Sequence, residues 1–125
     1  MKKIHATDNA PAAIGPYSQA TSYNGTLYCS GQIPLNPETM ELVGETAAEQ
    51  AAQVMDNLKA VLAEAGIDFS HVLKCTIFLA SMDDFGAVNE VYGARFKSDP
   101  PARETVAVKT LPKNVLVEIS CIAHL

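Results

Sequence analysis

Two charged side chains near the end of this sequence of 125 residues stand in apolar surroundings, where a charge is unusual. Arg103 opens an apolar strand, and Glu118 interrupts the mostly apolar run 115–123. Burying an unpaired charge is costly, so such a group is expected to face solvent, to pair with an opposite charge or to serve a ligand. A guanidinium binds small anions and a carboxylate can orient water, so the two residues could hold a small molecule next to a water.

The relative placement of these two side chains depends on the chain between them. Residues 104–110 and 115–123 are interpreted as two strands, joined by residues 111–114 as the loop of a hairpin. In that register Arg103 and Glu118 share one face, because side chains alternate between the two faces of a sheet. They would then lie roughly 13–14 Å apart along the strands. A loop of three or five residues would instead place them on opposite faces.

A third candidate is Asn89, a polar residue on the apolar stripe of a predicted helix. That stripe consists of Phe85, Val88, Tyr92 and Phe96. An asparagine buried on such a stripe needs hydrogen-bond partners. The backbone of a nearby loop is the more common partner, and a bound ligand is the alternative.

Most other chemistries lack the residues that they need. The sequence has no glycine-rich phosphate-binding motif, no HExxH motif and no GxSxG nucleophile elbow. Its three histidines are dispersed, and none pairs with a carboxylate at ligand spacing, so no metal site is expected. Its three cysteines are widely spaced and lie in apolar runs, which is typical of buried, reduced cysteines. Cys121, in the middle of a strand, is therefore not expected to be a catalytic thiol.

Composition indicates one folded domain over residues 1–125. Hydrophobic residues make up 48% of the chain and charged residues 18%, which is enough to bury a core. The net charge of −5 and the lack of a long Lys/Arg run argue against nucleic acid as the main partner. No segment suits a bilayer or a secretory leader, so we expect a soluble, cytoplasmic protein without a membrane partner.

Signals for secondary structure are strong in the first half of the chain. Asn24-Gly25 between two strand-like runs predicts a β-hairpin, because its tight turn needs two positive φ angles. Thr46 and Glu49 form a capping-box pattern at the start of a helix, and Gly66 is placed to end it. Apolar residues recur at helical spacing between them.

The second half is interpreted as a strand over residues 72–80, a helix that begins near Ser81, and the two strands described above. Elements in this order predict an α+β fold, with one mixed sheet and two helices packed on one of its faces. The other face of the sheet would then need a cover. Self-association is the simplest cover for a chain of this length.

Four segments resemble those of a known family in their order and spacing. They are Gly15-Pro-Tyr-Ser-Gln-Ala, Cys29-Ser-Gly-Gln-Ile-Pro, Pro101-Ala-Arg and Leu116-Val-Glu-Ile. Together they resemble the Rid (YjgF) family of enamine/imine deaminases over nearly the whole chain. The resemblance implies a chorismate-mutase-like fold and a homotrimer with sites between subunits. It further implies hydrolysis of short 2-imino acids, such as 2-iminobutanoate and 2-iminopropanoate, to 2-oxo acids and ammonia, with no cofactor.

The resemblance also implies roles for residues of this sequence. It matches Arg103 to an arginine that grips the substrate carboxylate, and Glu118 to an acid that positions the attacking water. It matches four further residues to the pocket: Tyr17, Ser30, Gly31 and Asn89. Thr105, expected in the same pocket, stands where several relatives have cysteine, so a thiol nucleophile is not implied. Ser120 stands where many relatives have a second acid, and the link between Phe96 and Arg103 is shorter than in many of them.

Three other functions stay open at this point. The pocket around Arg103 could bind a 2-oxo acid without turnover and act as a sensor. The resemblance also suggests a ribonuclease or translation inhibitor, although the acidic balance of the chain argues against it. A purely structural oligomer would leave Arg103 and Glu118 unexplained.

Overall fold

A computed structural model describes all residues, 1–125, as a six-stranded sheet with two helices. Strands β1 to β6 span Lys3–His5, Ala20–Tyr23, Thr26–Gln32, Val72–Leu79, Ala102–Ala107 and Val117–His124. Helices α1 and α2 span Ala47–Glu64 and Phe85–Gly93. The strand order across the sheet is β1-β2-β3-β6-β4-β5, and every neighbouring pair is antiparallel except β4 with β5. The predicted α+β fold, with a mixed sheet and two helices on one face, is confirmed.

The local signals in the first half of the chain act as predicted. Asn24 and Gly25 have φ angles of 51° and 79°, as the two-residue turn between β2 and β3 requires. At the start of α1, the Thr46 hydroxyl accepts a hydrogen bond from the Glu49 backbone N–H. The Glu49 carboxylate in turn accepts one from the Thr46 N–H. This capping box satisfies backbone donors that the first turn of a helix leaves unpaired.

The core lies between the sheet and the two helices. Leu58 and Leu62 of α1 and Val88 of α2 pack there against alternate residues of β4 and β6. Burying a large aliphatic side chain contributes about 1.5–3 kcal/mol, so this layer decides which face of each strand points inward. The opposite face has no cover within the chain, and Tyr28 and Val106 are 51% and 46% exposed there. It is the face for which the sequence predicts a cover by self-association.

The predicted hairpin between residues 104–110 and 115–123 is wrong, because β5 and β6 are not neighbours. β4 lies between them, parallel to β5 and antiparallel to β6. β4, α2 and β5 form a crossover unit, and the segment 108–116 then passes the end of β4 before β6 begins. The Val108 N–H donates a hydrogen bond to the Leu79 carbonyl, which holds this segment against β4. Hydrophobic patterning locates both strands but carries no information on which neighbours they take.

The second helix is shorter than its apolar stripe. α2 ends at Gly93, and Phe96 lies beyond it, with its ring edge-on to Phe69 at a centroid distance of 5.5 Å. Ser81 caps a short 3₁₀ turn, Met82–Asp84, that leads into α2. Neither helix has both the length and the apolarity needed to cross a bilayer.

Candidate functional site

Arg103 is held at the edge of the sheet by three side chains of α2. Its guanidinium donates a hydrogen bond from Nη1 to Asn89 Oδ1. Its Cζ atom lies 5.2 Å from the centroid of the Tyr92 ring and 5.5 Å from that of Phe85, within the range of cation–π attraction. The side chain is exposed and forms no salt bridge within the chain. Its charge is therefore available to an anion.

The crossover from β4 through α2 to β5 explains this arrangement. Phe85, Asn89 and Tyr92 are spaced i, i+4 and i+7, so they share one face of α2. Arg103 lies opposite Cys75 in the parallel pair, which turns its side chain toward the helices and away from the open face of the sheet. The asparagine, expected to be buried, is exposed, and its partner is the arginine instead of a loop backbone.

A cavity of about 420 Å³ lies beside Arg103. Its lining comes from α2, from Arg103 itself, and from Pro100 and Pro101 in the short link between Phe96 and Arg103. Thr105 lies two residues beyond Arg103 on the same strand, and its hydroxyl oxygen is buried without a hydrogen-bond partner. That oxygen is enclosed by the chain, and Thr105 is not part of the cavity lining, so its contact with a ligand stays a prediction.

Two neutral groups lie beneath Arg103. Tyr92 is buried, its hydroxyl has no hydrogen-bond partner, and burial raises its pKa above the ordinary value for tyrosine. The Cys75 thiol is also buried, and burial raises its pKa to about 11. Neither group is ionised at neutral pH, so neither neutralises the guanidinium and neither is a ready nucleophile.

Glu118 occupies the other face of the sheet, opposite Phe78 of β4 and next to a β-bulge. At the bulge, Ser30 and Gly31 of β3 together oppose the single residue Ser120 of β6. The bulge brings the Gly31 backbone against the carboxylate, since a Cβ on this glycine would stand 2.6 Å from Glu118 Oε2. Only a residue without a side chain leaves the carboxylate in this place.

The surroundings of Glu118 suit a general base. The side chain is half-buried, and burial raises its pKa above the ordinary value for glutamate. A carboxylate with a raised pKa takes a proton from water more readily. The arrangement can therefore activate a water molecule on the open face of the sheet.

Tyr17 and Ser30 lie near this bulge, and both hydroxyls bond to backbone. The Ser30 hydroxyl donates to the Ser18 carbonyl at 2.6 Å, and the Tyr17 hydroxyl accepts from the Ile14 N–H at 3.3 Å. Tyr17 and Gly31 also line a cavity of about 310 Å³. Most of its remaining lining is apolar and consists of Pro11, Ala12, Ile14, Ile33, Leu35 and Pro112.

The structure divides the predicted site residues into two clusters. The arginine cluster contains Asn89, Arg103 and Thr105, and the glutamate cluster contains Tyr17, Ser30, Gly31 and Glu118. Arg103 and Glu118 lie two strand spacings apart across the sheet and three residues apart along it, roughly 10 Å in each direction. They also point to opposite faces, so the prediction that they share a face is wrong. That prediction depended on the hairpin, which β4 replaces.

Sequence reasoning misses two features of this region. Helical spacing assigns Phe85 and Tyr92 to the hydrophobic core. The polar residue Asn89, which lies between them on the same helix face, indicates that this face also contacts a polar group. The wide spacing of the cysteines hides their alignment across three adjacent strands, in the order Cys29, Cys121 and Cys75. No group of three or more His, Cys, Asp or Glu side chains is placed to hold a metal ion.

This chain is similar to known proteins over nearly its whole length. The sequence model of the family described as Endoribonuclease L-PSP matches residues 7–125. The Myxococcus xanthus protein DfrA is 56% identical, over 98% of this chain and 94% of its own length. The 2-iminobutanoate/2-iminopropanoate deaminase of Mus musculus is 46% identical, over 98% of this chain and 91% of its own length. The crystal structure of a Yersinia pestis protein of unknown function, described as a member of the conserved Rid family, superposes with a TM-score of 0.98 at 48% identity and covers 100% of both chains.

Proposed function

The chain belongs to the Rid family, and from that premise we propose that it hydrolyses short-chain 2-imino acids, 2-iminobutanoate and 2-iminopropanoate among them, to 2-oxo acids and ammonia. The observation that carries the proposal is the fixed and exposed guanidinium of Arg103. A 2-imino acid has a planar carboxylate next to an electrophilic C=N carbon. Guanidinium holds such a carboxylate through two parallel hydrogen bonds, which lysine cannot reproduce. The mouse relative is named for this reaction.

In the proposed reaction, Arg103 fixes the carboxylate and with it the imine carbon, which lowers the entropic part of the barrier. Glu118 accepts a proton from a water molecule while the water oxygen bonds to the carbon of the protonated imine, and the C=N electron pair passes to the nitrogen. The carbinolamine formed carries a hydroxyl and an amine on one carbon. Glu118 returns the proton to the nitrogen, and the C–N bond breaks as ammonia leaves. The Glu118 carboxylate, free again, takes the proton of the hydroxyl as C=O forms, and that proton then passes to solvent.

We place the reaction between two copies of the chain, because the arginine and glutamate clusters lie on opposite faces of one sheet. β5 is an edge strand and carries Arg103 at the margin of the sheet, while the face that carries Glu118 is uncovered within one chain. In a closed ring of identical copies, the arginine cluster of one copy can meet the glutamate cluster of the next. The homotrimer implied by the family resemblance is such a ring.

The apolar cavity beside Tyr17 and Gly31 is the proposed place for the substrate side chain. It adjoins the glycine that contacts Glu118, so it lies next to the water that would attack. Its aliphatic lining suits an alkyl group, because apolar surface there is removed from water on binding. This placement assigns the carboxylate, the reacting carbon and the side chain to three separate groups of residues.

A coupled assay tests the proposal, with a dehydratase that generates 2-iminobutanoate and a measurement of ammonia release against the spontaneous rate. We expect the protein to accelerate release and Arg103→Ala to lower kcat/KM by about 10²-fold or more, since charge-assisted hydrogen bonds contribute roughly 1.5–3 kcal/mol each. Arg103→Lys should also be poor. The matched control is Arg95→Ala, because Arg95 pairs with Asp56 at 2.8 Å and belongs to neither cluster.

Two results of this assay would contradict parts of the proposal. Near-normal turnover by Arg103→Lys would contradict bidentate binding of the carboxylate. Ammonia release no faster than the spontaneous rate would contradict deamination. If the same protein then bound 2-oxobutanoate in a way that Arg103→Ala abolished, the function would be carboxylate sensing instead.

Ribonuclease activity is the second candidate, because the matching family model is described by that activity. The net charge of −5 disfavours binding to a phosphate backbone. No histidine lines the cavity beside Arg103 or the cavity beside Gly31, so neither holds the imidazole that often serves as general acid in such cleavage. We expect no cleavage of labelled RNA by metal-free recombinant protein. Cleavage that Arg103→Ala abolished would favour the ribonuclease instead.

A further inference from the structure

The exposed guanidinium of Arg103 is closely held for a side chain at the edge of a sheet. Arginine has a long, flexible stem and loses rotamer entropy when it is held in one place. Here Phe85 and Tyr92 each present a ring within 5.5 Å of Cζ, and Asn89 accepts a hydrogen bond from Nη1. All three side chains come from one face of α2, so a single helix supports the guanidinium.

These contacts leave free the donors that a carboxylate needs. Asn89 occupies one N–H of Nη1, and the two rings contact the cation without taking a hydrogen bond from it. The Nε and Nη2 donors of Arg103 remain for a pair of parallel hydrogen bonds. A carboxylate bound in this way lies in the plane of the guanidinium. The orientation of that plane therefore decides where the neighbouring imine carbon lies.

We propose that Phe85 and Tyr92 are positioning residues, whose rings fix the plane of the Arg103 guanidinium for the substrate. The inference rests on the proposed deamination, which gives Arg103 a carboxylate to bind. Tyr92 is expected to act through its ring, whose centroid lies 5.2 Å from Cζ, and Tyr92→Phe tests whether the hydroxyl contributes. Since Tyr92 is also buried in the core, a test has to separate positioning from stability.

Four variants make that separation. Tyr92→Leu and Phe85→Leu each remove one ring, Tyr92→Phe keeps the ring, and Val88→Ala damages the same helix at a core residue that is 1% exposed. We expect each leucine variant to raise KM for 2-iminobutanoate about threefold to thirtyfold and to change kcat less. Tyr92→Phe should restore most of the loss seen in Tyr92→Leu. Val88→Ala should lower Tm without raising KM.

Two outcomes of the kinetics would overturn the positioning role. One is an equal rise of KM in Tyr92→Phe and Tyr92→Leu, because loss of the ring would then not be the cause. The other is a comparable rise of KM in Val88→Ala, because general damage to α2 would then explain the leucine variants. A rise of KM confined to the two leucine variants supports the proposal.

The guanidinium itself gives a readout that does not need activity. In ¹H–¹⁵N spectra of the full chain, a freely rotating guanidinium gives one averaged Nη signal and a fixed one gives separate Nη signals. We expect separate Nη signals for Arg103, which can be assigned because they disappear in Arg103→Lys. In the double variant Phe85→Leu with Tyr92→Leu, we expect a single averaged Nη signal. An averaged signal in the wild type would overturn the positioning role even if the protein deaminates. The two proposals can also fail separately. If wild type shows separate Nη signals but does not accelerate imine hydrolysis, the proposed deamination is wrong and the fixed guanidinium is still supported.

Discussion

Arg103 and Glu118 point to opposite faces of the sheet, with β4 between the strands that carry them. Arg103 is turned toward Asn89 on α2, and Glu118 is turned toward Gly31 on the open face. One small molecule cannot touch both side chains of the same chain. If the reaction needs both, each site combines the arginine of one copy with the glutamate of another, and the two functions can be supplied by different chains.

Two inactive variants should therefore complement each other. In rings assembled at random from equal amounts of Arg103→Ala and Glu118→Gln chains, about a quarter of the sites receive both intact residues. We expect each variant alone to retain about a hundredth of the wild-type rate or less. The mixture should recover about a quarter of the wild-type rate per site after dissociation and reassembly. Ammonia release in the coupled assay measures the recovery.

A second mixture serves as the control for this complementation. Here wild type is mixed with an equal amount of a chain that carries both substitutions, Arg103→Ala and Glu118→Gln. If each site is shared by two chains, the mixture should have about a quarter of the wild-type rate per site. If each chain has its own site, it should have about half. A site built from two copies would be contradicted by two results together. The mixture of single variants would be no more active than either variant alone, and the mixture with the double variant would keep half of the wild-type rate.

Gly31→Ala should displace the proposed base and leave the fold intact. The new Cβ would stand 2.6 Å from Glu118 Oε2, which is the far end of a flexible side chain and can move at little cost. We expect kcat to fall roughly tenfold to hundredfold, with a smaller change in KM and a Tm within a few degrees of wild type. Gly86→Ala is the control, because its Cβ meets nothing within 4 Å. Wild-type turnover in Gly31→Ala would show that the place of the carboxylate is unimportant.

Short-range patterns allowed much of the fold to be predicted. The turn at Asn24-Gly25 and the cap at Thr46 depend on residues that are neighbours in the sequence, so their types are sufficient to identify them. The order of β4, β5 and β6 depends on how α2 crosses the sheet, which no local pattern records. Because the relative faces of Arg103 and Glu118 follow from that order, residue types could identify both as candidates but not their geometry.

The sequence indicated the bulge at Ser30-Gly31 less clearly than it indicated the turn and the helix cap. A glycine within a strand pattern indicates a bulge or a close approach, but only the partner strand shows what approaches. Glu118 is that neighbour, and the two residues are 87 positions apart in the chain (118 − 31). The contact of Phe85 and Tyr92 with Arg103 could not be predicted for a different reason. Aromatic residues at helical spacing are usually core residues, so their pattern gave no indication of a second role.

Glu118 is expected to lower stability while it supports activity. Burial raises the pKa of its carboxyl in the folded chain above the value in the unfolded chain, so the folded state binds the proton more tightly. Stability therefore falls as the pH rises through the raised pKa, and the ionised carboxylate opposes folding at pH 7. Glu118→Gln removes this charge, so its Tm at pH 7 should exceed that of wild type, and the difference should shrink as the pH is lowered toward the unfolded pKa.

The same substitution should remove the pH dependence of the reaction on this group. Wild-type kcat should rise with pH through the raised pKa, because the base has to be ionised to accept a proton. Glu118→Gln should lower kcat about 10²- to 10⁴-fold and lose that rise. A change confined to KM would make Glu118 a binding residue, and a lower Tm at pH 7 would contradict the cost assigned to its charge.

The apolar cavity beside Gly31 should determine which imino acid side chains are accepted. Ile33 contributes to its lining, and the cavity volume of about 310 Å³ leaves room for an alkyl group longer than methyl. Ile33→Phe reduces that room, and one methylene group in an apolar pocket is worth about 1–3 kcal/mol of discrimination. We therefore expect kcat/KM for the imine of leucine to fall about tenfold or more relative to that for 2-iminopropanoate, with an amino acid oxidase generating both imines.

Leu73→Phe is the control, because Leu73 is 51% exposed and lies outside the cavity, and it should leave the ratio of the two kcat/KM values unchanged. An equal loss for both imines in Ile33→Phe would mean that Ile33 shapes the whole site and does not select the side chain.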